Sequence, residues 1–167
     1  GGKPITAMTI LAFPGSELSL DLIRPLMDGA LSVLNRAKTA LVGGHTIDDE
    51  TLKLGFSVSG FVPKNRAWTN SGAKPGDVLI LTKGLGTGTL TAALKKSEAK
   101  PEWIKTAIQS MTTLNDVIDA LENIEVHSAT DITGFGLAGH LSQMATASGC
   151  AFQLQLDRKS TRLNSSH

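Results

Sequence analysis

The sequence predicts a mixed α/β fold, and three observations lead to this prediction. Apolar runs of strand length alternate with segments whose apolar residues recur at helical spacing. Clusters of glycine and proline separate these segments, as turns do. The chain has 167 residues, of which 41% are hydrophobic, so it can bury a core as one domain or as parts of two. Interleaved strands and helices are typical of α/β layers.

The first two elements are a strand and a helix. Residues 6–13 are largely apolar and end at Pro14-Gly15, which predicts a buried strand followed by a turn. The helix is predicted from apolar residues at helical spacing: Ile23, Leu26, Met27, Ala30, Leu31 and Leu34. Ser19 or Asp21 could cap it. Pro25 inside a helix capped by Ser19 would cost about 3 kcal/mol, so the helix should begin near Asp21 or kink.

Strand signals continue through the middle of the chain. Apolar residues alternate with polar ones from Leu52 to Val58, which predicts a strand with one face in solvent. The pair Gly60-Phe61 shifts that parity as a bulge would. Turn signals crowd residues 70–76, so a domain boundary is expected at residue 70, followed by a strand from Val78 to Leu81.

The last third is predicted to be mainly helical. A short helix should end at Lys95 or Lys96, and Pro101 should open an amphipathic helix that reaches Leu121. Another helix is expected over residues 136–148, stopped by the glycine that follows. Residues 152–156 alternate as a final strand would.

The composition excludes several classes of protein. The formal net charge of +1 gives no basic excess for nucleic acid, and no apolar run approaches the roughly 20 residues that span a bilayer. The lone Cys150 has no partner for an intramolecular disulfide. The chain opens with neither a start methionine nor a signal peptide, so a cytoplasmic protein without its true N-terminus is expected. Residues 158–167 resemble a vector-derived read-through tail and are expected to be non-native and disordered.

Two glycine-punctuated acidic segments suggest a metal–phosphate site. In the first, Gly43, Gly44 and His45 follow the apolar run Ala40 to Val42. Their N–H groups could cradle phosphate oxygens, with His45 as a further donor. The alternative is a simple chain turn beside solvated carboxylates.

In the second segment, Asp131 lies three residues before Gly134 and just before a predicted helix. As a ligand it would suit Mg²⁺, whereas the alternative is a helix cap. The loop from Lys83 to Gly88 lacks the Gly-Lys-Ser/Thr ending of a P-loop, so a turn or packing role is expected there.

Other catalytic patterns find little support. His127 and His140 have no partners at the spacings that zinc sites use, so both are expected to be structural residues with satisfied hydrogen bonds. No nucleophile elbow of a Ser-His-Asp hydrolase is present.

Four motifs in order resemble those of the selenophosphate synthetases (selenide, water dikinases). They are Gly-Gly-Lys-Pro at 1–4, Leu-Val-Gly-Gly-His-Thr-Ile-Asp at 41–48, Lys-Pro-Gly-Asp-Val-Leu-Ile-Leu-Thr-Lys at 74–83 and Thr-Asp-Ile-Thr-Gly-Phe-Gly-Leu-Ala-Gly-His-Leu at 130–141. The similarity covers residues 1–156. Four motifs in the right order are far more specific than any one of them.

The resemblance implies a fold and an activity. The fold would be that of the aminoimidazole-ribonucleotide-synthetase-like superfamily. Residues 1–70 would be part of an ATP-binding and dimerisation domain, and 71–157 the start of an α/β C-terminal domain. The family makes selenophosphate from ATP, selenide and water, releases AMP and phosphate, and uses Mg²⁺. The resemblance makes Gly43, Gly44 and His45 contacts to ATP across a homodimer interface, and Asp131 a metal ligand.

The resemblance also implies what this chain lacks. The family's catalytic cysteine or selenocysteine, its neighbouring lysine and its other metal aspartates lie upstream of Gly-Gly-Lys-Pro. Cys150 does not occupy the nucleophile's place. The fragment is therefore expected to be inactive alone and to contain no catalytic residue, and no nucleic acid or membrane partner is expected.

Two kinds of alternative remain open. A thiamine-monophosphate kinase or a purine-biosynthesis synthetase would share the fold and ATP, but not the Gly-Phe-Gly-Leu-x-Gly-His-Leu block. A catalytically silent paralogue would act as a binding or regulatory subunit.

Overall fold

The computed structural model of the chain describes residues 1–154. Its elements in chain order are β1 (Lys3–Phe13), a 3₁₀ turn (Leu20–Leu22), α1 (Ile23–Arg36), β2 (Ala40–Asp48), β3 (Lys53–Phe61), α2 (Thr87–Lys95), α3 (Pro101–Thr112) and α4 (Gly136–Ser148). The expected tail at 158–167 lies outside the described residues. The mixed α/β class is confirmed.

The three strands form one sheet in the order β2-β1-β3. β1 pairs in parallel with β2 and antiparallel with β3. A parallel pair needs a crossover connection, and the segment that carries α1 supplies it. Both outer strands are therefore edges among the described residues, and β1 is the central strand.

The chain divides into two compact units. Unit 1 contains residues 1–67 and 80–124, and its buried apolar residues are Ala7, Leu11, Ala12, Phe13 and Ala107. Unit 2 contains residues 68–79 and the described residues from 125 onward, and it buries Ala73, His140, Leu141 and Met144. The domain boundary at residue 70 stays a prediction.

α1 begins after Asp21 and needs no kink, which is one of the two expected outcomes. The Ser19 side-chain oxygen accepts a hydrogen bond from the Asp21 backbone nitrogen at 3.2 Å and caps the 3₁₀ turn. Because α1 begins at Ile23, Pro25 is its third residue. A proline there lacks an N–H that would have had no partner within the helix, so no kink is required.

The other helix ends are largely as expected. α2 ends at Lys95, and Pro101 is the first residue of α3. α4 covers residues 136–148, and Gly149 follows with a left-handed φ of 63°.

The expected extension of the third helix to Leu121 is wrong, because α3 ends at Thr112. The hydroxyls of Thr112 and Thr113 bond back to carbonyls one turn earlier, and threonine is a weak helix former. The side chains of Lys83 and Arg36 donate to carbonyls at this end, as cations near a helix C-terminus commonly do.

Two expected strands do not form. Residues 78–81 make no ladder with any described strand, and all four side chains are exposed. A strand needs a partner for its backbone groups, and sequence periodicity does not supply one. Residues 152–154 are likewise irregular, and the rest of that predicted strand lies outside the described residues.

β3 confirms the strand predicted from residue 52, but not its details. The ladder irregularity lies at Ile5 on β1, between the pairs Pro4–Gly60 and Thr6–Ser59, and not at Gly60-Phe61. Leu54 is half-buried while Phe56 and Val58 are exposed, so the predicted core face of β3 is open among the described residues.

Candidate functional site

The Gly43-Gly44-His45 segment is part of a strand rather than a turn. β2 runs without a break from Ala40 to Asp48, and Gly43 and His45 pair with Met8 and Ile10 of β1. The expected turn is therefore wrong, because β1 is long enough to pair with the whole segment. The register shifts between Ala7 and Met8, so that Val42 is an extra residue at a bulge just before Gly43.

The two glycines have different surroundings. A Cβ atom on Gly44 would lie 2.6 Å from the Thr9 carbonyl oxygen and closer still to the Thr9 Cγ2 atom. Only glycine allows β1 and β2 to approach there. A Cβ on Gly43 would meet nothing within 4 Å in the described residues. Contact with β1 therefore accounts for Gly44, whereas no neighbouring atom accounts for Gly43, whose φ is 158°.

His45 lies beside open backbone on an exposed sheet face. β2 is an edge strand, so N–H groups that point away from β1 have no ladder partner among the described residues. The ladder places His45 on the same face as Met8, Ile10 and Ile47, whose exposed fractions are 51%, 52% and 46%. An exposed imidazole beside side-chain-free backbone can donate hydrogen bonds to an anion such as phosphate.

Asp131 is exposed in the loop before α4. The helix is preceded by Phe135 at its N-cap position and has no side-chain cap, so the interpretation of Asp131 as a helix cap is wrong. No hydrogen bond or ion pair joins its carboxylate to the described residues. The carboxylate is thus free to bind an external ligand.

The donor chemistry of Asp131 fits Mg²⁺. A free carboxylate is the hard oxygen ligand that Mg²⁺ takes in proteins, usually one or two at a time together with water and substrate phosphates. Within residues 1–154, no three His, Cys, Asp or Glu side chains lie close enough to hold a metal ion together. Asp131 would therefore contribute a single carboxylate and not be part of such a group.

The loop that carries Asp131 is attached to α4 through Thr133. The Thr133 backbone nitrogen donates to His140 Nε2 at 3.0 Å, and the Gly136 backbone nitrogen donates to the Thr133 carbonyl at 3.0 Å. The Phe135 and His140 ring centroids lie 5.8 Å apart. A Cβ on Gly139 would lie 2.8 Å from the Phe135 Cβ, so glycine makes room for that aromatic ring.

A second histidine lies in the segment that leads to the loop. His127 Nδ1 is 2.9 Å from Asp77 Oδ1, and its Nε2 is 3.0 Å from Lys74 Nζ and 3.2 Å from Glu125 Oε1. The Lys74 backbone N–H, and secondly the His127 side chain, lower the pKa of the Asp77 carboxyl by hydrogen bonding to it. The structural role predicted for His127 is confirmed. For His140 it is confirmed in part, because Nδ1 is buried without a partner among the described residues.

The glycine loop after residue 83 has a structural role. Lys83 Nζ donates to the Ser110 carbonyl at 3.1 Å and to the Thr113 carbonyl, so it satisfies the end of α3. Gly86 takes a left-handed φ of 107° just before α2. The predicted turn or packing role is confirmed. The sequence does not indicate the Lys83–α3 or His140–Thr133 contacts, because neither pair has a spacing that belongs to a general motif.

Each unit thus presents one of the two predicted groups, either the phosphate contacts or the metal ligand. Unit 1 presents the edge of β2 and an exposed imidazole, and unit 2 presents a free carboxylate on an anchored loop. No helix in the described part of the chain is both long and apolar enough to cross a bilayer.

Family models match both parts of the chain. Residues 1–62 match the AIR synthase related protein, N-terminal domain, and residues 74–166 match the AIR synthase related protein, C-terminal domain.

Curated relatives named selenide, water dikinase cover nearly all of the chain. The protein from Bdellovibrio bacteriovorus is 52% identical over 161 residues, which are 95% of this chain and 46% of that protein. The protein from Nitrosomonas eutropha is 48% identical over 157 residues, or 92% of this chain and 45% of that protein. The chain therefore spans about half the length of the curated relatives it matches.

Solved structures share the fold at low sequence identity. A thiamine-monophosphate kinase from Stenotrophomonas maltophilia aligns with a TM-score of 0.74 at 22% identity, over 89% of this chain and 48% of that chain. A structure of AaThiL complexed with AMPPCP and TMP aligns with a TM-score of 0.70 at 23% identity, over the same 89% of this chain and 48% of its own. At these identities the likeness shows the fold alone.

Proposed function

This chain belongs to the AIR synthase related family, and we propose that it is part of an ATP-dependent selenophosphate synthetase. The proposed reaction converts ATP, selenide and water to selenophosphate, AMP and phosphate. The observation that carries the proposal is the identity to selenide, water dikinases along nearly the whole chain, at about twice the level seen with the thiamine-monophosphate kinase structures. The block at 130–141, which distinguishes the proposal from the related kinases, is intact.

ATP contacts are assigned to Gly43, Gly44 and His45. Support comes from the edge position of β2, the open space around Gly43 and the exposed imidazole. Phosphoryl transfer depends mainly on positioning and charge stabilisation, and these residues can hold a polyphosphate by hydrogen bonds from N–H groups. The described residues need not supply a nucleophile for that task.

Mg²⁺ is assigned to Asp131, together with ligands outside this chain. Bound Mg²⁺ would neutralise charge on the triphosphate. The chain's own contribution is to hold one carboxylate free of internal partners on a loop whose backbone is attached to α4.

We also propose that the complete protein is a cytoplasmic homodimer. Residues 1–70 would be part of its ATP-binding and dimerisation domain, and 71–157 the first part of its C-terminal domain. The exposed apolar side chains of Met8, Ile10 and Ile47 beside His45 support an interface on this face of unit 1. An apolar sheet face of this kind is commonly covered by another chain.

The activity is tested with the full-length protein that contains this chain. Purified protein is incubated with ATP, Mg²⁺ and selenide, and ³¹P NMR follows the phosphorus products. The proposal predicts a selenophosphate resonance together with AMP and phosphate. ATP consumption that requires thiamine monophosphate instead would favour the related kinase, and ATP binding without turnover would favour a silent paralogue.

The isolated 167-residue chain is the matched control. We expect it to make no selenophosphate, because it spans about half of its relatives and its described residues contain no metal cluster. A selenophosphate resonance above background from this chain would place the reaction centre within it and contradict the assignment.

A further inference from the structure

His140 is a buried histidine with an unusual distribution of partners. Only 7% of the residue is exposed, and its Nε2 lies 3.0 Å from the Thr133 backbone nitrogen and 3.1 Å from Thr133 Oγ1. A backbone N–H can only donate, so Nε2 must accept, and the proton of the neutral ring is on Nδ1. That Nδ1 is buried and has no partner among the described residues.

Burial of Nδ1–H without a partner lowers the stability of the folded state, which a residue that only fills space would not require. A buried donor without a partner loses free energy that an apolar side chain of similar size would not lose. What the imidazole contributes is the hydrogen bond to Thr133, which holds the loop two residues after Asp131. Both backbone polar groups of Thr133 are then engaged, the nitrogen by His140 and the carbonyl by Gly136 at the start of α4.

The rest of the loop is fixed around the same imidazole. The Phe135 ring lies beside it, and the absence of a side chain at Gly139 leaves room for Phe135. The backbone from Thr133 to Gly136 is thus attached to α4, while the Asp131 carboxylate stays without an internal partner. The loop is anchored at its backbone and open at its carboxylate.

We propose that His140 is a positioning residue for the Mg²⁺ ligand Asp131. It acts as a hydrogen-bond acceptor in its Nδ1–H tautomer and holds the loop in the conformation that presents the carboxylate. The binding of Mg²⁺ to Asp131 rests on the proposed function. The choice of His140 as the positioning residue rests on the geometry of unit 2.

Three variants of the full-length protein test the role. In His140→Gln, the amide oxygen can accept from the Thr133 N–H. His140→Leu places an apolar side chain of similar size at the position, and that side chain cannot accept a hydrogen bond. The control is Met144→Leu, a volume-conserving change at another buried position of α4, which cannot remove the Thr133 hydrogen bond. Thermal unfolding checks that each variant folds.

The first measurement is the affinity for a non-hydrolysable ATP analogue, with and without Mg²⁺. We expect His140→Leu to lose about fivefold of the Mg²⁺-dependent gain in affinity, the value of one hydrogen bond. His140→Gln and Met144→Leu should stay within about twofold of the wild type, a difference smaller than one hydrogen bond is worth. An unchanged Mg²⁺ gain in His140→Leu, with a loss in Asp131→Asn, would overturn the positioning role and leave the metal role standing.

The second measurement does not depend on metal or activity. ¹⁵N NMR of metal-free, histidine-labelled full-length protein reports the tautomer of each ring. We expect one histidine signal of the Nδ1–H tautomer that disappears in His140→Gln. An Nε2–H tautomer for His140 would overturn the proposal, because Nε2 could not then accept from Thr133. If Asp131→Asn keeps the full Mg²⁺ gain while the tautomer is as expected, the metal assignment fails, and with it the role proposed for His140.

Discussion

The segment around Gly43 and the loop around Asp131 both combine glycine with acidic residues, but the fold uses them differently. The first is built into a strand, where Gly44 lets two backbones approach and Gly43 faces open space. The second is an irregular loop whose backbone is attached to a helix while its carboxylate has no partner. Contact with Thr9 accounts for Gly44, whereas no neighbouring atom accounts for Gly43, and the Asp131 carboxylate has no partner among the described residues. Gly43 and Asp131 are therefore the better candidates for ligand contact.

The largest effect that can break this comparison is at Gly44. In Gly44→Ala, the new Cβ would overlap Thr9 of the adjacent strand, and overpacking of this kind costs about 1–3 kcal/mol. Urea unfolding of the full-length protein measures the loss. The control is Gly55→Ala on β3, where a Cβ would meet nothing within 4 Å of the described residues. Equal stability of the two variants would show that β1 and β2 do not approach as described.

A smaller effect is expected at Lys83, in the glycine loop of residues 83–88, which can be compared with the first two segments. Lys83→Met removes the donor to two carbonyls at the end of α3, so we expect the free energy of unfolding to fall by about 1 kcal/mol. Nucleotide affinity should not change. Lys95→Met, in the last turn of α2, is the control for loss of a positive charge. A fall in nucleotide affinity without a loss of stability would instead support phosphate binding by this loop.

The smallest effect concerns Asp77, in the turn that holds His127. Because hydrogen bonds lower its pKa in the folded state, the Asp77 carboxylate adds stability above the pKa of the unfolded chain, about 3.9 for an aspartate. That stability is lost as the pH falls through the lower folded-state pKa. Wild type should therefore be more stable than Asp77→Asn at neutral pH.

The difference at Asp77 should shrink as the pH falls below the pKa of the unfolded chain and be lost below the lower folded-state pKa, where the carboxyl is protonated. Urea unfolding at a series of pH values measures it, with Asp116→Asn as the control for removal of an exposed carboxylate. A difference that persists unchanged into acid would contradict the contribution of the charged form.

The sequence predicts elements well where one segment determines its own structure. The helix that begins at Pro101 and the helix that stops before Gly149 depend on local signals, and both are present. The strand expected at 78–81 is absent because a strand depends on a partner elsewhere, and periodicity carries no information about that partner. The predicted extension of the third helix to Leu121 fails for the same reason, because the side chains of Lys83 and Arg36, which help to end the helix, lie elsewhere in the sequence.

The motif order predicts Gly43, His45 and Asp131 as site residues, and that assignment stays a prediction. The structure adds their environments: Gly43 and His45 lie in a strand instead of the expected turn, and the Asp131 carboxylate caps no helix, which rules out the alternative to metal binding. The support of the loop by His140 depends on a contact between a loop residue and a helix residue, and helical periodicity predicts contacts only within the helix itself. Only the folded backbone brings that imidazole to Thr133.

The central claim, that Asp131 holds Mg²⁺ for nucleotide binding, is tested most directly by calorimetry. Binding of a non-hydrolysable ATP analogue to the full-length protein is measured with Mg²⁺ and with a chelator, for wild type, Asp131→Asn and the control Asp116→Asn. We expect Asp131→Asn to lose at least about tenfold of the Mg²⁺-dependent gain in affinity, because one charged ligand is removed. Its stability should match wild type, since the carboxylate caps no helix. An equal Mg²⁺ gain in all three proteins would contradict the claim.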